Sequence, residues 1–306
     1  MKRGRSWLLA GGAALLAALS TLPAAAGVGA AAGADPAPGA RRIVTLAPSL
    51  AEIVAGLGRG DWIVGVESFT NWPPELQSLP RVGSYVDPNL ESILALKPDL
   101  VLGSADGNPE AVLERIRRLG IPIHVSDPMI LEGIRTSIEE LGTLLDARPR
   151  ARELIETMDQ GIGRIRTAVA GRPRPRVLLL FESEPISTAG RGTFTDELIR
   201  IAGGRSISAA EERDYLQLSI EAVLAARPEV IVLSSMDPLR DHQRILESWR
   251  RWPILPAVRD GRIHVVDADL LSRPSQRIVL GLEALARLFH PAAFAPEQAA
   301  SSGYAD

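Results

Sequence analysis

Glu91 and Glu221 stand 130 residues apart at matching places in the chain. Each follows by two residues a side chain able to cap a helix, Asn89 or Ser219. Each carboxylate therefore falls in a first helical turn, where the helix dipole favours negative charge by about 0.3–1 kcal/mol. That local role is one reading of the pair. The other is that two outward carboxylates related by a duplication meet two cationic sites on a symmetric partner.

The remaining reactive residues argue against catalysis. The four histidines are His124, His242, His264 and His290. His124 and His264 sit at equivalent strand positions and read as structural, and no pair has metal-ligand spacing on one element. The chain has no cysteine, which removes disulfides, thiolate metal sites, a cysteine nucleophile and the lipid-bearing cysteine of an exported lipoprotein. It contains no Gly-x-Ser-x-Gly elbow, phosphate-binding P-loop or dinucleotide fingerprint. Gly190-Arg191-Gly192 is only a glycine-rich turn. Catalytic residues, a resident metal and a cofactor are accordingly not expected.

Aromatic residues are scarce, at 4%, so their placement is informative. Phe69, Trp72 and Tyr85 fall in an irregular segment between the second and third expected strands, while Phe181, Phe194 and Tyr215 fall after or near strand ends further on. Loop aromatics facing a cleft suit a large flat ligand, with local packing as the alternative for each ring. Trp62, Trp249 and Trp252 lie on helix or loop shoulders and read as packing residues.

The elements that must position these residues alternate from residue 41 onward. Short β-branched runs at 43–46, 63–66, 100–103 and 123–125 are separated by helical patterns, the signature of α/β units with parallel strands. Two helices then follow without a strand, over 131–145 and 149–170. Pro149 suits the first turn of the second, Asp146 and Arg148 stand where its cap would form, and Gly171 with Pro173 ends it. At 1.5 Å per residue it reaches about 33 Å, enough to bridge two lobes. Strands resume at 177–181, 230–233 and 263–266, and a closing helix is expected over 274–289.

The second half repeats the first. Residues 91–102, ESILALKPDLVL, are answered by 221–232, EAVLAARPEVIV, with four of twelve pairs identical. Residues 123–127, IHVSD, are answered by 263–267, IHVVD, at an offset of 140. The ten extra residues are expected around 241–252. Duplication makes two similar lobes with a groove between the carboxyl ends of their strands. The roughly 265 residues that remain after the leader exceed what one core usually holds; a single merged core would count against the groove.

The leader reads as a secretory signal. Lys2, Arg3 and Arg5 precede an apolar run over 7–19 and a small-residue stretch, with cleavage expected after Ala26. The run is shorter than the roughly 20 residues that span a bilayer. Loss of those three cations takes the formal charge from -3 to -6, and a mildly acidic surface argues against nucleic-acid binding. The expected organisation is signal peptide 1–26, disordered leader 27–40, N-terminal lobe 41–130, helical segment 131–171, C-terminal lobe 172–292 and flexible tail 293–306.

Several runs together resemble the periplasmic binding proteins for vitamin B12 and iron complexes. They are RIVTLAPSLAE at 42–52, VGV at 64–66, WPPE at 72–75, NLESILALKPDLV at 89–101, AGG at 202–204 and RPSQRI at 273–278. The resemblance implies two α/β lobes with mostly parallel sheets joined by one long rigid helix. It also implies a monomer in the periplasm, feeding an ABC importer built from two membrane and two ATPase subunits, with Glu91 and Glu221 docking onto arginines of the membrane pair. Similarity to the B12-binding branch would put Phe69, Tyr85, Phe181 and Tyr215 against a corrinoid, with Asp269 and Arg273 at the cleft edge.

Haem and a ferric siderophore remain alternatives. Tyr85 or Tyr215 would serve haem iron, and Arg191 and Arg273 would serve an anionic siderophore. From other classes, an exported hydrolase or a partner that presents its ligand to a sensor also stays open.

Overall fold

A computed structural model describes residues 42–294 except 129, 212–213 and 236–241. The expected signal peptide and leader, Asp241 and residues 295–306 of the expected tail lie outside the described residues.

The first lobe is built on β1 (Ile43–Thr45), β2 (Ile63–Val66), β3 (Leu100–Ser104) and β4 (Ile123–Ser126), with α1 (Pro48–Gly56), α2 (Leu90–Ala95) and α3 (Glu110–Arg118) between them. Its sheet runs β2-β1-β3-β4, all parallel. All five residues of β3 are buried. A strand covered on both faces needs such an unbroken small or apolar run rather than alternation.

Next come α4 (Leu131–Leu144) and the 22-residue α5 (Arg148–Val169). Pro149 lies in the first turn of α5 as expected, but the cap differs from expectation. Ala147 is the N-cap, without a side-chain hydrogen bond, and Asp146 instead turns the chain with φ of 52°. Ala151, Ile155, Met158, Ile162 and Ile165 are buried along one stripe of α5 at helical spacing. Among the described residues no helix is long and apolar enough to cross a membrane.

The second lobe adds β5 (Arg176–Ser183), β6 (Ile186–Ala189), α6 (Phe194–Ile201), β7 (Arg205–Ser206), β8 (Tyr215–Leu218), α7 (Ile220–Ala226) and β9 (Val230–Leu233). The series ends with α8 (His242–Trp249), α9 (Pro256–Arg259), β10 (Ile263–Val265), α10 (Ala268–Leu271) and α11 (Ile278–Phe289). Strands β7, β5, β9 and β10 are parallel and repeat the order of the first sheet. Besides β7, the strands β6 and β8 were not expected, and they extend this sheet through antiparallel pairings. Where the first lobe has α3 alone between its last two strands, the second has α8 and α9, which accommodates the extra residues.

The apolar core departs from the expectation of fully separate lobes. One cluster runs from Ile43 and Leu50, through Leu141 of α4 and Ile155 and Ile162 of α5, to Val177, Leu198 and Leu282. Two smaller clusters belong to one sheet each, around Leu113 and Ile116 in the first lobe and around Val223 and Leu255 in the second. The lobes are thus separate as sheets but share a continuous seam along α5. A dense, shared seam resists shear, which suits a stiff strut. Gly161 permits the close approach of α5 and α11, since a Cβ there would stand 2.5 Å from Val279 Cγ1.

The closing helix starts at Ile278, four residues later than expected. Residues 273–277 are held instead by a buried carboxylate in the first lobe.

Candidate functional site

The segment joining β2 to α2 carries Phe69, Trp72 and Tyr85, and its shape is set by Glu67. This side chain is fully buried. Its Oε2 accepts from the Phe69 amide at 2.8 Å and its Oε1 from the Tyr85 amide at 3.2 Å. Burial raises the Glu67 pKa, although the two amides and the guanidiniums of Arg273 and Arg81 pull the other way. Arg81 ties the same loop to itself by donating to the carbonyls of Glu67, Thr70 and Gln77.

Tyr85 is fixed at both ends of its backbone. Its carbonyl accepts from Asn108 Nδ2 at 2.7 Å, and Asn108 Oδ1 accepts from the Ser104 amide at 2.7 Å. The ring lies directly on Gly107, where an added Cβ would stand 1.8 Å from a ring carbon, so only glycine fits there.

The phenol of Tyr85 is pushed up to about 12, by burial first and then by the carboxylate of Asp106, against a hydrogen bond from Ser104. The Tyr215 phenol is raised by desolvation and by the carboxylates of Asp106 and Asp214. Asp106 follows β3 of the first lobe, whereas Tyr215 opens β8 of the second. The same carboxylate raises both phenols, one from each lobe.

Phe181 and Tyr215 meet edge to face, with ring centroids 6.0 Å apart. Tyr215 is 64% exposed and Phe69 60% exposed, so two of the four expected contact aromatics present open faces, while Tyr85 and Phe181 are half-buried. Phe194 packs on the central cluster. Trp62, Trp249 and Trp252 are packed into cores, as their positions suggested.

Arg273 is buried more deeply than the expected cleft-edge contact, while its partner Asp269 is partly exposed. Arg273 is 6% exposed, and its guanidinium pairs with Glu52 at 3.2 Å and Asp269 at 2.6 Å. It also donates to Asn71 and to the Phe69 carbonyl. Glu52, on α1, additionally accepts from Arg277 at 2.8 Å and from the Ser275 hydroxyl. Neither Glu52 nor Glu67 was singled out from sequence. The only signal was a polar residue inside an apolar stretch, which most solvated helices and loops also show.

Glu91 and Glu221 are exposed in the first turns of α2 and α7. Asn89 Oδ1 accepts from the Ser92 amide at 2.9 Å and Ser219 Oγ from the Ala222 amide at 3.3 Å. The Glu221 carboxyl is held below its usual range by its own backbone amide and by the Ser219 hydroxyl.

Two sheets whose parallel strands follow the same order, joined through a 22-residue helix, make the architecture of a helical-backbone solute-binding protein. The family model for the periplasmic binding protein matches residues 43–270, and the chain belongs to that family. It is 31% identical over 273 residues to the vitamin B12-binding protein of Yersinia pestis (strain Pestoides F), covering 89% of this chain and 90% of that one. Among solved structures it is similar to the periplasmic vitamin B12 binding protein BtuF of Vibrio cholerae, with a TM-score of 0.73, 32% identity and coverage of 83% of this chain and 98% of that one. It is also similar to the periplasmic heme-binding protein RhuT from Roseiflexus sp. RS-1, with a TM-score of 0.75, 28% identity and coverage of 83% and 100%.

Proposed function

We propose that this chain is the periplasmic solute-binding component of an ABC importer, and that it captures a corrinoid between its lobes and delivers it to a membrane permease. The carrying observation is the set of four aromatics, Phe69 and Tyr85 from one lobe and Phe181 and Tyr215 from the other, with Phe69 and Tyr215 largely exposed and Phe181 edge to face with Tyr215. A corrinoid offers apolar edges and neutral amides, which rings and un-ionised hydroxyls bind without ligating the metal. The likeness to vitamin B12-binding proteins over nine-tenths of the chain supports the same ligand class.

Haem held by a tyrosinate is the less supported reading. Haem iron would need Tyr85 or Tyr215 as its tyrosinate ligand, whereas the Yersinia pestis relative is a vitamin B12-binding protein. Of the two arginines expected for an anionic siderophore, Arg273 is occupied by Glu52, Asp269, Asn71 and the Phe69 carbonyl, which leaves the exposed Arg191. Periplasmic residence rests on the family and on the leader. The test is uptake of labelled cobalamin at nanomolar concentration by cells lacking this chain. Uptake should fall and return when the chain is restored; undiminished uptake contradicts the role.

A further inference from the structure

Side chains from residues 269–277 reach back about 200 residues to the loop that carries Phe69 and Trp72. Arg273 donates to the Phe69 carbonyl at 3.0 Å and to Asn71 Oδ1 at 2.6 Å. Asn71 Nδ2 donates in turn to Asp269 at 2.6 Å, and Asp269 pairs with Arg273. Arg277 lies 4.4 Å over the Trp72 ring while it pairs with Glu52. Together with the Glu67 bond to its amide, the Arg273 bond fixes both peptide groups flanking Phe69.

A carboxylate with two guanidiniums at a nearly dry site is a poor device for stability, because desolvation consumes most of the Coulombic gain. It is a good device for fixing geometry, because the arrangement fails unless every partner is in place. The fixed object here is a loop whose two aromatics, Phe69 at 60% and Trp72 at 42% exposure, are more open to water than packing requires. Rings held out towards a groove bind tightly only if they do not have to be ordered on binding.

We infer that Arg273, Asn71, Asp269 and Arg277 form a latch through which the C-terminal half of the chain sets the aromatic wall of the first lobe. Arg273 is then a positioning residue rather than a ligand contact. The affinity arm of the test rests on the corrinoid reading; the exchange arm does not.

Arg273→Lys keeps one cation for Glu52 but loses the multi-point grip, and its buried site puts folding at risk. Asn71→Ala removes two latch hydrogen bonds and leaves every buried charge paired, so it is the second variant. Amide hydrogen exchange over residues 68–72 is measured in the ligand-free mature protein, and affinity with cyanocobalamin as the probe. Exchange in 68–72 should quicken by about ten-fold or more in Asn71→Ala, with the rest of the chain unchanged. Affinity should weaken by about three- to ten-fold as the competent loop conformation becomes a minority.

Unchanged exchange in 68–72 overturns the latch, and weaker binding by Arg273→Lys alone on that background would make Arg273 a direct contact. Faster exchange with undiminished affinity overturns the positioning role. A wild-type protein that ignores cyanocobalamin sinks the corrinoid reading, while the exchange result still decides the latch.

Discussion

Lys97 and Arg227 adopt the same left-handed backbone conformation, with φ of 47° and 51°, each directly before a proline at matching points of the duplicated segment. The residue before proline is barred from continuing a helix, and a left-handed turn without glycine persists only when its surroundings over-determine it. The same support is built twice. Arg42 donates to the carbonyl of Lys97 and Arg176 to that of Arg227. The amides of Asp99 and Glu229 donate to the carbonyls of Arg42 and Arg176. Two short helices are thereby fixed on two sheets in the same way, each showing one carboxylate to solvent.

That equivalence bears on docking. Replacing Glu91 and Glu221 together by Ala is expected to leave affinity for ligand in solution within about two-fold, since both are exposed and neither neighbours the aromatic set. Transport should be lost. Normal uptake by the double variant would return both residues to their capping turns.

The two phenols can be followed by ultraviolet titration. Tyr85 should ionise last, at about 12 rather than its ordinary 10. Its folded pKa is raised, so the stability tied to the neutral phenol is fully present below pH 10 and is lost as pH climbs towards 12. Tyr85→Phe should remove the last step, and a step near 10 for Tyr85 would show that the ring is solvated. If the rings cover the ligand, Tyr85→Ala or Tyr215→Ala should weaken binding by about 1–3 kcal/mol.

Two glycines of α5 should respond in opposite directions. Gly163 has open space around it, so Gly163→Ala should stabilise by about 0.5–1 kcal/mol through helix propensity. Gly161→Ala should instead destabilise by about 1–2 kcal/mol, because the stiff Val279 side chain blocks the new methyl. Adding Val279→Ala should recover the difference. Equal thermal shifts for the two glycine variants would mean that α5 and α11 are not tightly packed.

Much of this was legible because it is local. The ESILALKPDLVL repeat announces a cap, a short helix, a proline stop and a buried strand, and the structure repeats all four. The length of α5 followed from its period and its proline. The strands β6, β7 and β8 were missed because ISTA in β6 carries a single large apolar residue, β7 is only two residues long, and β8 lies at a sheet edge with Tyr215 and Gln217 exposed. The Glu52 and Glu67 clamps were missed for a different reason. Glu52 finds Arg273 221 residues away and Glu67 finds the Tyr85 amide 18 residues away, and no spacing rule links positions that only the fold brings together. The same contacts account for the late start of α11, since residues 273–277 make bonds to Glu52 that a helical turn would break.

The groove reading is tested most directly by calorimetric titration of the mature protein with cobalamin, cobinamide, haem and a ferric siderophore in parallel. Binding of one cobalamin per chain, with cobinamide close behind and haem and siderophore far weaker, is the expected result. Tight haem binding with a tyrosinate-to-iron charge-transfer band, and no heat with either corrinoid, would contradict it.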